Sequence, residues 1–493
     1  MTSSSNSLFR YPDCLFINGE WVTPQGAQTL DVVDSTNEQV FLQVAQASAR
    51  DVERAVAAAR HAFDEGPWPR LTHAERAGYL RAFADGWRRH LTAVEQLWPR
   101  EAGILASAAR TSAERSIKEW EEYADLAETF PFIEVISPGN GGAFGVRRRE
   151  PVGVVAAIIP WNAPMPSLSH KIAPALLAGC TVILKTATEA PGEGIIAAQI
   201  AEDIGLPPGV LNVVTADRDV SELLVRDPRV DKVSFTGSTA VGRRIASICG
   251  DRVARVSLEL GGKSVAVILD DADLELAATT ISMNECTLTG QVCYSLTRLV
   301  VLERQHDAFV EALADTFSKV RVGDPYDPAS QMGPLATAQQ RNKVEEYVSV
   351  GVAQGATLVT GGGRPKYLDR GFFIEPTVFS RVKNEDRIAR EEIFGPVLSV
   401  IPAASEEDAI RIANDTNYGL NASVFTADAE RALQVASRLR TGTVGHNAQR
   451  SDLTLGFGGF KQSGIGREGG TEGLRLYLES KAVILNEKPQ SFA

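Results

Sequence analysis

The sequence predicts an α/β protein built on parallel sheets covered by helices on both faces. Three observations carry that prediction. Between residues 152 and 270, short apolar stretches alternate with stretches whose apolar residues recur at helix spacing. The short stretches are uniformly apolar, the pattern of strands buried on both sides. With 493 residues, 44% of them hydrophobic and 23% charged, the chain can bury large cores without disulfide or metal staples.

The elements follow in order. Residues 1–7 form a polar tail without the basic and apolar pattern of a leader, and are expected to fray. Residues 8–48 read as short extended pieces, with a strand–turn look at Leu15-Phe16-Ile17-Asn18-Gly19-Glu20-Trp21. Ser48 caps a helical region that runs from Ala49 to about Thr129. Residues 132–136 and 143–147 alternate and flank Ser137-Pro138-Gly139-Asn140-Gly141-Gly142, a hairpin signal. Residues 152–159, 181–184, 211–214, 232–235 and 256–260 then read as strands, and 166–177, 192–204 and 238–248 as helices. A second α/β series continues to about residue 440, and the tail at 472–486 ends as an edge strand.

Net charge is −12, from 50 basic and 62 acidic side chains, with a pI near 5.2. A diffuse acidic excess argues against nucleic acid or an anionic membrane as the main partner. The run Arg147-Arg148-Arg149 is too short to change this and reads as a solvated strand end. No apolar stretch reaches the length of a membrane-spanning helix. The five cysteines, at 14, 180, 249, 286 and 293, include no CxxC pair. That pattern argues against a disulfide framework or thiolate zinc site and suits a reducing cytoplasm. No cluster of histidines and carboxylates suggests a metal.

Four segments carry candidate chemistry. Cys293, in Thr289-Gly290-Gln291-Val292-Cys293, is either a packed thiol or a nucleophile, and the segment alone leaves both open. Glu259 ends an apolar strand just before Gly261-Gly262-Lys263, where an open α/β sheet binds its ligand. It reads as a general base of raised pKa or as a partner of Lys263. Asn162, in Pro160-Trp161-Asn162-Ala163-Pro164, is either an oxyanion donor or a turn residue. Phe235-Thr236-Gly237-Ser238 leads from strand to helix, a place where backbone amides favour phosphate. Its spacing matches neither GxGxxG nor a Walker loop.

Together these segments resemble the aldehyde dehydrogenase superfamily, of the NAD(P)-dependent, non-phosphorylating kind. The resemblance spans about residues 17–485. It includes the interval from Glu259 to Cys293 and the segments Glu391-Glu392-Ile393-Phe394-Gly395-Pro396 and Phe457-Gly458-Gly459-Phe460-Lys461-Gln462-Ser463-Gly464. It implies a Rossmann-like cofactor domain (1–129 and 150–260) and an α/β catalytic domain (261–455). A β-hairpin oligomerisation element with the tail (130–149 and 456–493) completes a homodimer or homotetramer. It implies oxidation of an aldehyde to a carboxylic acid. Cys293 would be the nucleophile, Asn162 the oxyanion donor, Glu259 the base that hydrolyses the thioester, and Lys171 a supporting residue. The cofactor set is Ile159, Trp161, Lys185, Thr188, Gly237, Ser238, Leu260, Gly261, Glu392 and Phe394. The substrate tunnel is Ala163, Ser167, His170, Val292, Tyr294, Arg450 and Phe457. A thiolate attacks better than a thiol, so the Cys293 pKa is expected to be lowered. The alternatives are a coenzyme A-acylating semialdehyde dehydrogenase, against which Glu259 argues, a plain thiol esterase and a non-catalytic member of the fold.

The sequence departs from the family in places. Thr188 stands where NAD-preferring members carry glutamate, so NADP is expected to be tolerated alongside NAD. Ala163, Ser167 and His170 replace bulkier apolar residues, which widens or wets the tunnel. Arg450, near the tunnel mouth, either attracts a carboxylated aldehyde or pairs with Asp452. Gly456 replaces a common proline and is expected to loosen its loop. No aromatic box for betaine aldehyde is evident.

Overall fold

The computed structural model describes residues 8–26 and 28–492; the tail at residues 1–7 lies outside them. An eight-stranded sheet holds a parallel core of Arg255–Glu259, Lys232–Thr236, Val154–Ile158, Thr181–Thr186 and Leu211–Thr215, in that spatial order. Antiparallel strands flank it, with Gly464–Ile465 beside Glu259 and with Leu15–Ile17 then Glu20–Val22 beyond Leu211–Thr215. Every residue of Val154–Ile158 is buried, because helices cover both faces of the sheet.

A seven-stranded sheet follows. Strands Val265–Ile268 and Arg298–Leu302 lie at its centre, and all its pairings are parallel except that of Thr357–Thr360. A third sheet joins Ile133–Val135, Phe144–Pro151 and Leu478–Leu485, so the hairpin and the tail form one antiparallel unit. The tail segment 456–493 therefore divides. Gly464–Ile465 joins the first sheet because Gly464 lies against Leu258, whose carbonyl oxygen would sit 2.4 Å from any Cβ there. Only the segment beyond it reaches the hairpin.

The helical region splits into Ala49–Asp64, His73–Ala102 and Ala106–Thr129. Ser48 with Asp51, and Thr72 with Glu75, form capping boxes that satisfy the first N–H groups. The second helix stops at Gly103, whose φ of +79° suits glycine and whose Cα approaches the Pro334 carbonyl too closely for a side chain. Helix Pro164–Ala178 starts two residues earlier than the spacing predicts. Pro164 and Pro166 fit its first turn, where no N–H is needed for the ladder. All five cysteines are free. Among the described residues, no helix is long and apolar enough to cross a membrane, and no three metal-ligating side chains cluster.

Arg298 opens the strand that follows the Cys293 loop and is fully buried. Its guanidinium donates to the carbonyls of Lys263, Ile412 and Ala413 and to Asn384 Oδ1, at 2.8–3.2 Å. Arg298→Met leaves these acceptors without that donor. It is expected to cost about 3 kcal/mol or more, read as a lower denaturant midpoint at unchanged slope.

Candidate active site

The carboxyl ends of the parallel strands of the first sheet meet the Cys293 loop around one cavity of about 410 Å³. Close backbone approach builds it. Gly290 has φ +68°, and a Cβ there would lie 2.3 Å from the Gly395 carbonyl carbon. A Cβ on Gly262 would lie 2.4 Å from the Cys293 carbonyl oxygen, and one on Gly261 2.2 Å from Glu392 Oε2. The two glycines after Glu259 thus admit the thiol-bearing backbone and the Glu392 carboxylate. Glu392 Oε1 accepts from Gly262 N at 3.1 Å.

Asn162 Nδ2 donates to the Gln291 carbonyl at 2.8 Å, which fixes its amide beside the Cys293 loop. Its own carbonyl accepts from Trp98 Nε1 at 3.0 Å. Gln291 is buried and braces the loop from below. Its Nε2 donates to Ala102 O at 3.0 Å and its Oε1 accepts from Ala336 N at 2.8 Å.

Burial pushes the Cys293 thiol up, and the nearby Glu392 and Glu259 push it further. This reverses the lowered pKa that a nucleophile was expected to show. Burial likewise raises the Glu259 carboxyl well above its usual range, with Glu468 adding to the shift and Lys171 and Arg467 opposing it. Glu259 Oε2 is buried without a partner, and Lys263 makes no ion pair with Glu259. A Cβ on Gly458 would lie 2.6 Å from Glu259 Oε1, so the Phe457-Gly458-Gly459 turn also packs on this carboxyl.

Lys171 lies behind the cavity wall, fully buried, and its ammonium pairs with Glu468. His170 stands between two carboxylates, with Nε2 3.0 Å from Glu119 and Nδ1 3.4 Å from Glu468. Burial alone would lower the imidazole pKa; the carboxylates outweigh it and raise it to about 9. The ring is therefore engaged away from Cys293, and no Cys–His dyad forms.

On one side of Cys293 the cavity becomes a crevice suited to a dinucleotide. Trp161 and Phe394 meet edge to face at 5.4 Å, and Phe394 holds φ +62°. Gly237, Ser238, Leu260, Gly261 and Glu392 line this side. Ser238 caps helix Thr239–Asp251, whose first amides no carbonyl reaches, and the adjacent Thr236 hydroxyl is buried without a partner. Those free donors fit a pyrophosphate. Ile159, Lys185 and Thr188 do not line the cavity. Ile159 N donates to Lys185 O at 3.1 Å, and Thr188 Oγ1 donates to Glu189 at 3.0 Å.

On the other side, Ala163, Ser167, His170, Val292, Tyr294 and Phe457 all line the wall. Tyr294 meets Phe457 edge to face at 5.7 Å. Arg450 does not reach the cavity. It is exposed and makes no ion pair with Asp452, which instead caps Thr454. In its place Arg115 lines this wall, held by the Ser451 carbonyl at 3.0 Å. Gly456 turns with φ +87°, which the proline ring forbids, so the exchange gives a different turn.

Residues 21–483 match the model of the aldehyde dehydrogenase family. The chain belongs to that family. It is 42% identical to geranial dehydrogenase of Castellaniella defragrans, over 96% of this chain and 98% of that one. It is 41% identical to a crystal structure of Mycobacterium tuberculosis aldehyde dehydrogenase complexed with NAD+, which superposes with a TM-score of 0.94 and coverage of 96% and 98%. A third likeness is a Pseudomonas syringae aldehyde dehydrogenase C variant with NAD+ and octanal. That pair is 38% identical, with a TM-score of 0.93 and coverage of 97% and 98%.

Sequence reasoning missed three residues of this aldehyde dehydrogenase site. Glu468 is flanked by Gly466, Gly469 and Gly470, a signal of close packing that was available. Glu119 and Arg115 sit on a helix whose many charges hide them. The usable sign was the apolar and small stripe of Ala109, Ala113, Ser116, Trp120 and Tyr123 that turns that face inward.

Gln291→Leu strips a partner from two buried backbone groups. It is expected to cost roughly 2–4 kcal/mol of stability. Thiol alkylation at Cys293 should also lose its single-exponential course as the loop loosens, measured with iodoacetamide below the unfolding midpoint.

Proposed function

We propose that this aldehyde dehydrogenase oxidises an aldehyde to its carboxylic acid with NAD. The observation that carries this reading is one cavity joining Cys293, Asn162, Glu259 and Glu392 to both a dinucleotide crevice and an apolar tunnel.

Cys293 Sγ gives up its proton to solvent and attacks the aldehyde carbon, forming a C–S bond. The resulting oxyanion accepts hydrogen bonds from Asn162 Nδ2 and the Cys293 N–H. The bound nicotinamide supplies the acceptor for the hydride that leaves this carbon, and the carbon is left as a thioester. Glu259, once it has released its own proton to solvent, takes a proton from water, whose oxygen attacks the thioester. The C–S bond breaks, the carboxylic acid leaves and Cys293 is regenerated. Lys171 and Glu468 hold the charge balance behind Glu259. Glu392 would hold the nicotinamide ribose, Trp161 and Phe394 would wall the ring, and Ser238 with Gly237 would take the pyrophosphate.

Leu288, Val292, Leu453 and Phe457 give the tunnel an apolar side suited to bodies such as the relatives' geranial and octanal. The free outer edge of Leu478–Leu485 suits strand addition in a homodimer or homotetramer. Five free thiols accord with a cytoplasmic setting.

Cys293→Ala should lower aldehyde-dependent NADH formation by more than about a thousandfold. Glu259→Gln should still form the thioester yet turn over at least about a hundredfold more slowly, with the acylated enzyme visible by intact mass. Absence of that acyl adduct would remove Glu259 from the hydrolytic step.

Thr188 lacks the charge that repels a 2′-phosphate, so NADP should serve with a KM less than about a thousandfold above that of NAD. Thr188→Glu should raise the NADP KM at least about tenfold and leave the NAD KM nearly unchanged.

A further inference from the structure

His170 lines the cavity, yet neither ring nitrogen is directed to the nucleophile. It stands inside a row of alternating charge. At the tunnel mouth, the half-exposed Arg115 lies 4.0 Å from Glu119. Glu119 lies 3.0 Å from His170, His170 lies 3.4 Å from Glu468, and Glu468 pairs with Lys171. The row crosses three segments. Arg115 and Glu119 come from helix Ala106–Thr129, His170 and Lys171 from helix Pro164–Ala178, and Glu468 from the turn before Gly470–Arg475. Its inner end faces Glu259.

The other ionisable groups against this row do not replace His170. Tyr123 and Tyr477 are buried phenols whose pKa values are raised, so they stay neutral. Lys232, from the neighbouring strand, stands near Lys171, with its ring contact on Tyr477 at 5.1 Å. Arg467, next to Glu468 in the same turn, also acts on Glu259. His170 alone covers the second oxygen of Glu468.

We propose that His170 is a positioning residue for the deacylation base. Held by Glu119, it fixes Glu468 on Lys171 and supplies a cation that offsets Glu468 in the field at Glu259. The proposal rests on Glu259 being the base that hydrolyses the thioester. A buried carboxylate stays an anion where a cation pairs with it, and Lys171 does most to hold Glu468 so. Lys171 takes one Glu468 oxygen and His170 the other. An uncompensated anion there makes Glu259 hold its proton more tightly, and a base that keeps its proton cannot take one from water. In the parent protein the two carboxylates keep the imidazole charged at neutral pH, as its pKa of about 9 requires. Without His170, Lys171 still keeps Glu468 ionised, so the loss of a positive charge is felt at Glu259.

The test uses p-nitrophenyl acetate, which acetylates Cys293 with release of p-nitrophenol and needs neither cofactor nor a known aldehyde. Decay of the acetyl-enzyme is followed by intact mass from pH 6 to 10 for the parent enzyme, H170Q and H170K, with H170N in place of H170Q should the latter not fold. In H170Q the pH midpoint of decay is expected to move alkaline by about half to one unit, so decay at pH 7 slows about three- to tenfold and recovers at high pH. H170K restores the charge and returns the midpoint. An unmoved or acid-shifted midpoint in H170Q overturns the proposal. So does an equal shift in H170Q and H170K, which would mark a role of shape alone. E259Q is run beside them. If its acetyl-enzyme decays like the parent's at every pH, the base assignment itself fails; if E259Q is slow and H170Q is unshifted, only the role of His170 fails.

Discussion

The site depends on backbone segments that lie closer together than a Cβ atom permits. Gly261 and Gly262 follow Glu259 at the end of its strand, and Gly290 precedes Cys293. Through these three positions the strand end, the Cys293 loop and the Glu392 segment share one small volume. A side chain at any of them would drive a carbonyl or carboxylate outward by an ångström or more. Catalytic geometry tolerates far less than that. Gln291 and Arg298 then hold the loop from the outside, each with buried polar contacts to several segments.

Burial sets the electrostatics of that volume. It raises the Cys293 thiol and the Glu259 carboxyl together; Glu392 and Glu259 push the thiol further, and Glu468 pushes the carboxyl. Charge is gathered beside them on Glu468, Lys171, His170 and Glu119, where opposite signs are paired. Burial above all keeps the reacting groups neutral at rest.

Much of this was legible in the sequence. The strand–helix alternation from residue 152 gave strand cores within one or two residues, because uniformly apolar strands and capped helices leave clear local marks. Cys293, Glu259 and Asn162 could be singled out because glycines and prolines mark the turns that carry them. What was not legible depends on contacts between distant segments. Arg450 was placed by its distance from Asp452 along the chain, yet Asp452 turns back to cap Thr454, and Arg115, far away in sequence, takes the position on the wall. Gly464–Ile465 is too short to register as a strand, and only its contact with Leu258 reveals its sheet. The direction of the Cys293 pKa was misjudged for the same reason, since chemistry dictates which form reacts but burial dictates which form rests.

That last distinction has a mechanistic consequence. A permanently ionised thiol in an open tunnel would react with any electrophile or oxidant that entered. A thiol held neutral by burial and by two nearby acids ionises more readily when positive charge enters. The crevice beside Trp161 and Phe394 is where a cationic nicotinamide ring would bring that charge, which would couple cofactor occupancy to activation of the proposed nucleophile through Coulomb's law. The same field acts on Glu259 in the same direction. A site whose proposed nucleophile and base both rest neutral, and both respond to one incoming cation, would react faster once the cofactor is in place.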